Sequence, residues 1–129
     1  MNIVSDTNIL LAVALDEPEK DRIIQLTVGA TAVAPEILPY EMGNALSAMV
    51  KRGLIPQEEA FLVLQIAASI PVRLVSVDIQ QALKIAVEFN IYAYDAYFLQ
   101  CARLLSCPII TLDKRMKQVA LELGIEILE

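Results

Sequence analysis

Four acidic residues stand where their neighbours do not fully account for them. Asp6 follows the short β-prone run Ile3-Val4, and Asp6-Thr7-Asn8 bring a carboxylate, a hydroxyl and an amide together just before a helix-like segment. Asp113 follows a second apolar run in the same way, directly after Thr111-Leu112. Glu41 interrupts an otherwise small, neutral helix face, and Asp95 heads an apolar helix. Taken singly, most have plain readings. Asp is a preferred N-cap, so Asp95 and Asp113 are explicable as caps, while Asp6 has Thr7 and Asn8 as competing caps. Glu41 lies a turn inside its helix, where it caps nothing, and Ala45 and Ala48 offer it no ion pair. A solvated surface Glu is its bland alternative. Brought together, the four would repel one another and require a cation. Hard oxygen ligands in a chain without His select Mg²⁺ or Mn²⁺. One or two such ions, about 3.5 to 4 Å apart if two, would polarise a phosphodiester and lower the pKa of a water.

Whether these acids meet depends on the elements between them. Strand-like runs recur at Ile3 to Ser5, Ala32 to Ala34, Val72 to Val77, Ile109 to Leu112 and Ile125 to Leu128, separated by helix-period stretches. Strands alternating with helices need crossover connections, so the expected fold is α/β with a parallel sheet of about five strands and helices on both faces. An order of 3-2-1-4-5 would set the ends of strands one and four side by side at the reversal point, with Asp6 and Asp113 adjacent. Burial of both sheet faces would account for the 57% hydrophobic content. Glu36 to Arg52 reads as the longest helix, stopped at Gly53, and Pro56 opens the next, Gln57 to Ser69, to make a helical hairpin. On the first of these, Leu38, Met42, Leu46 and Met49 form an apolar stripe, and Glu41, Asn44, Ala45 and Ala48 share another face. Asp78-Ile79-Gln80-Gln81 has a capping-box pattern.

With 129 residues, positions 1–129 read as one domain. Ten basic and sixteen acidic residues give a net charge of −6, which argues against a passive grip on a phosphate backbone. No apolar run approaches the roughly 18 residues of a membrane span, and no signal-peptide pattern opens the chain, so a cytoplasmic protein is expected. Cys101 and Cys107 lie among apolar neighbours and read as buried free thiols. The four glycines build no phosphate loop, which excludes dinucleotide binding.

Four segments, in this order and spacing, resemble a PIN-domain ribonuclease, most closely the VapC-type toxins of toxin–antitoxin pairs. They are Val4-Ser5-Asp6-Thr7-Asn8, Pro39-Tyr40-Glu41-Met42-Gly43-Asn44-Ala45-Leu46, Tyr94-Asp95-Ala96-Tyr97, and Thr111-Leu112-Asp113-Lys114-Arg115-Met116. The resemblance spans the chain and implies a three-layer PIN-like fold. It implies that Asp6, Glu41, Asp95 and Asp113 bind Mg²⁺ or Mn²⁺ and activate a water for cleavage of single-stranded RNA. Thr7, Asn8 and Thr111 would support them, and Asn44 would orient Glu41 or touch a phosphate. Lys114 and Arg115 are candidates for the RNA backbone, although charges in a first helical turn are usually just solvated. A homodimer and a small antitoxin wrapping the hairpin are the implied partners, consistent with the apolar surface from Glu36 to Ser69. A PIN nuclease of RNA processing, not a toxin, is the alternative within the family. A haloacid-dehalogenase-type phosphatase would need a second acid at position 8, where Asn8 stands. An inactive receiver-like interaction domain would use Asp78 as phosphoacceptor but lacks the paired acids after strand one.

Overall fold

A computed structural model describes Met1–Glu129. The elements run β1 (Asn2–Ser5), α1 (Thr7–Ala14), α2 (Lys20–Thr27), β2 (Thr31–Pro35), α3 (Leu38–Lys51), α4 (Gln57–Ser69), β3 (Val72–Val75), α5 (Ile79–Phe89), α6 (Ala93–Leu105), β4 (Ile109–Ile110) and α7 (Lys114–Glu122). The sheet is parallel throughout and ordered β3-β2-β1-β4. The expected crossover topology is therefore present, with the reversal between β1 and β4.

The fifth strand is reduced to a single parallel bridge between Ile109 and Ile127. The Ile109 N–H donates to the Glu126 carbonyl and the Leu128 N–H to the Ile109 carbonyl, both at 2.9 Å. β4 is two residues long, so its outer edge has too little extended backbone to propagate a ladder. The segment occupies the fifth position in the order without becoming a strand.

Alternate residues of the central strands face opposite ways. Val4, Val33 and Ile109 join the large core built with one face of α1 and with α3 to α7, in which Leu38, Leu46, Ile85, Phe98 and Val119 are buried. Ile3 and Ile110 point to a small second core with Ile9, Ala12 and Ile23 from α1 and α2. This second face is not fully covered, contrary to the expectation that both faces are buried. A cleft of about 630 Å³ opens there between Ile3, Ala32 and Arg73. α1 and α2 have eight residues each, about 12 Å of helix, too short to reach across edge strand β3.

The hairpin forms as the sequence predicts. Pro39 sits in the first turn of α3, and Gly53 ends the hairpin's first arm at φ +72°, a backbone conformation that favours glycine. Asp78 caps α5 by accepting from the Gln81 N–H at 3.1 Å.

Candidate active site

Register alone brings two of the four acids together. Ser5 pairs with Ile110, and the Asp6 N–H donates to the Ile110 carbonyl at 3.1 Å, so the chain segments leaving β1 and β4 stay in contact as each turns into its helix. The Thr111 hydroxyl then donates to Asp6 Oδ2 at 2.8 Å and accepts from the Asp113 N–H at 3.1 Å. Asp6 Oδ1 accepts from the Thr7 N–H at 2.8 Å. Asp6 is thus the N-cap of α1 and a fully engaged buried carboxylate at once. Asp113 also has two roles. Its Oδ1 caps α7 by accepting from the Met116 N–H at 3.0 Å, while its charge acts on Asp6 and Asp95.

The other two acids arrive from helices on the larger side of the sheet. Glu41, in the first turn of α3, accepts from the Thr7 hydroxyl at 2.7 Å, which links α3 to the start of α1. Asp95 is in the first turn of α6 and is not its cap. Tyr92 holds the N-terminal position there with extended backbone, and the Asp95 carboxylate is left free of protein donors.

Electrostatics identify these four as one cluster. Burial pushes Asp6 up to about 6, against the bonds from Thr111 and Thr7, and the charges of Glu41 and Asp113 push the same way. Asp95 is also raised to about 6, by burial first and then by Asp6 and Asp113. Glu41 is raised by burial, partly offset by the Thr7 hydroxyl, with Asp95 adding to the rise. Each raised acid thus has another member of the set among its causes.

These side chains do not close into a cage of three or more ligands. A hard divalent ion such as Mg²⁺ keeps several waters and takes only one or two carboxylates from a protein. The donor set, carboxylates supported by hydroxyls and without imidazole or thiolate, is of the hard oxygen type such an ion takes.

The remaining candidates are placed less centrally. Asn8 is exposed and lines, with Asp113, Leu11 and Met49, a groove of about 490 Å³ between α1 and α3. Asn44 is exposed on α3, and Glu41 takes its hydrogen bond from Thr7 instead of from Asn44. Lys114 is exposed. Arg115 is occupied structurally. It donates to the Phe89 carbonyl at 2.6 Å and to Gln118 at 3.3 Å, tying the start of α7 to the end of α5. Cys101 and Cys107 are free thiols, and burial pushes Cys101 up to about 12, which makes it unreactive. Sequence reasoning missed the Thr7–Glu41 bond, because the two residues are 34 positions apart and nothing local pairs them.

Two solved structures superpose on nearly the whole length of this chain. One is PAE2754 from Pyrobaculum aerophilum, with 20% sequence identity and a TM-score of 0.67, covering 96% of this chain and 90% of that chain. The other is VapBC2 from Rickettsia felis bound to a DNA fragment from their promoter, with 14% identity and a TM-score of 0.67, covering 98% of this chain and 97% of that chain. A search of curated proteins gives no match. The PIN domain family model matches residues 3–122, nearly the whole chain. On that match this chain belongs to the PIN-domain family.

Proposed function

We propose that this PIN domain is a Mg²⁺- or Mn²⁺-dependent endoribonuclease that cleaves single-stranded RNA, and that it acts as the toxin of a VapBC-type pair. The observation that supports this reading is the gathering of Asp6, Glu41, Asp95 and Asp113 from four distant segments into one mutually repelling group. Family membership favours a nuclease. A divalent ion supplies, when bound, the positive charge that polarises a phosphodiester and acidifies a water.

The chain's own residues divide the work. Thr111 and the Thr7 N–H hold Asp6, so its oxygens keep one orientation. The Thr7 hydroxyl does the same for Glu41. Asp95, half-buried and without a protein donor, has oxygens available to a cation or to the proton of an attacking water. Asp113, fixed by the Met116 N–H, adds a further negative charge to the same pocket.

The toxin reading draws on the likeness to VapBC2 of Rickettsia felis. An antitoxin would lie along the α3–α4 hairpin, where Phe61, Leu62 and Ile66 are exposed and a groove of about 380 Å³ runs between the two helices. A homodimer is proposed with it. No helix is long and apolar enough to cross a membrane, and the proposed place of action is the cytoplasm.

The test is cleavage of total cellular RNA with Mg²⁺ or Mn²⁺, with EDTA, and with the Asp6→Asn and Asp95→Asn variants. Cleavage that requires the ion and disappears in both variants is expected, and equal activity in EDTA would sink the nuclease mechanism. A cut at one tRNA or rRNA position supports the toxin, whereas diffuse cutting favours an RNA-processing nuclease.

A further inference from the structure

The chain contains four tyrosines, and all of them lie within three residues of a cluster acid in sequence. Tyr40 immediately precedes Glu41, and Tyr92, Tyr94 and Tyr97 lie within three residues of Asp95. Tyr40 is 76% exposed and Tyr94 55%, although no other part of the surface carries a tyrosine. The Tyr94 and Tyr97 rings meet edge to face, with centroids 6.1 Å apart and planes at 82°. Such a pair holds each ring in a fixed attitude. Tyr97 and Tyr40 also line one cleft of about 310 Å³, together with Pro35, Ile37, Val77 and Ile79. Because Tyr40 and Tyr97 line the same cleft, the starts of α3 and α6 that bear them are neighbours.

Charge limits how this chain could hold a nucleic acid. At a net charge of −6 the protein has little means of gripping phosphates. Several of its ten cations are already engaged. Arg115 is on the Phe89 carbonyl, Lys117 pairs with Glu129 at 3.0 Å, Lys20 with Asp16 at 3.4 Å, and Arg103 bonds Gln100 at 2.9 Å. Single strands have a second handle, the faces of their unpaired bases, which stack on aromatic side chains whatever the sequence.

We propose that Tyr40, Tyr94 and Tyr97 form a base-stacking surface that holds the unpaired nucleotides of a single-stranded RNA next to the carboxylates. This inference rests on the ribonuclease reading for its substrate class. Tyr40 and Tyr97 receive a base in the cleft between α3 and α6, and Tyr94 offers its exposed face to a neighbouring base. The phosphate between stacked nucleotides is thereby brought to the acidic cluster, where a cation and not the protein's own side chains offsets its charge.

The test uses the full chain with Asp6→Asn, so that binding is read without cleavage. A fluorescein-labelled single-stranded RNA of mixed sequence is titrated in Mg²⁺, alone and annealed to its complement. Tyr40→Leu and Tyr94→Leu are each expected to weaken single-strand binding by about 5- to 150-fold, the range for loss of one base–aromatic stack. Tyr40→Phe and Tyr94→Phe should bind within about twofold of the parent. Annealing should abolish binding, and the log–log salt slope should be shallower than about −1.5, the value for about two phosphate contacts. Leu variants that bind like the parent, or a slope steeper than about −3, overturn the proposal. So does loss of self-association on size exclusion in the Leu variants with RNA affinity unchanged, which would assign the tyrosines to a protein contact. Metal-dependent cleavage by the otherwise native chain alongside unaffected Leu variants removes this inference alone. Tyrosine-dependent binding without any cleavage leaves it standing and removes the nuclease reading.

Discussion

Replacing Asp6 with Asn should make the metal-free protein more stable. Asp6 is 5% exposed and titrates at about 6 in the fold against an ordinary 3.8. The difference, 6 − 3.8, is about 2 pH units, and each is equivalent to about 1.4 kcal/mol, so the ionised carboxylate costs the fold about 3 kcal/mol above pH 7. The sign follows from linkage. A carboxyl raised in the folded state is a penalty that is complete above its folded pKa and fades as pH falls through 6 toward 3.8. The Asn variant keeps an acceptor for the Thr7 N–H and a group for the Thr111 hydroxyl to meet, so it removes the charge with little change in shape. In EDTA at pH 8 we expect Asp6→Asn to be more stable by about 1 to 3 kcal/mol, or about 5 to 10 °C in Tm for a chain of this size. At pH 5 the gap should be about half as large. Saturating Mg²⁺ should reverse the order, since an ion at 100 times its Kd adds about 2.7 kcal/mol to the native form that binds it. Thermal unfolding followed by circular dichroism at pH 5 and 8, with EDTA and with Mg²⁺, measures all of this. A variant that is less stable than the parent in EDTA at pH 8, or a gap that does not shrink toward pH 5, would refute the argument from buried charge.

Other perturbations separate positioning from structure. Thr7→Val removes the donor to Glu41 and leaves a half-buried acid without it, a loss of about 1.5 to 3 kcal/mol for a bond to a charged group. Cleavage should fall by about tenfold or more, the acidic limb of the pH–rate profile should move upward, and Thr7→Ser should restore both. Arg115→Leu should lower stability by about 1 kcal/mol through loss of the tie to Phe89 while leaving the salt dependence of RNA binding unchanged; a clearly shallower salt slope would return Arg115 to the RNA contacts. Phe98→Ala empties a fully buried position in the main core, with an expected cost of about 3 to 5 kcal/mol by urea unfolding, whereas Leu62→Ala on the exposed hairpin face should change stability by under about 0.5 kcal/mol.

The sequence by itself determined the alternation of strands and helices and with it a parallel sheet, because these follow from local periodicity and the need for crossovers; the strand order it could only suppose, and tertiary pairing decided it. It also marked Asp6 and Asp113, since both stand where an apolar run stops. It overstated the fifth strand, because pairing at the sheet edge depends on how much extended backbone β4 offers, and that is two residues. Taken singly, Asp95 and Asp113 were equally explicable as caps from the sequence, yet tertiary structure separates them. Asp113 caps α7 with Oδ1, and Asp95 caps nothing. The Thr7–Glu41 and Thr111–Asp6 bonds span 34 and 105 positions and were decided by packing alone. The raised titration of Asp6 is likewise a tertiary property, for a carboxylate becomes costly only when the fold takes away its water and sets other carboxylates beside it.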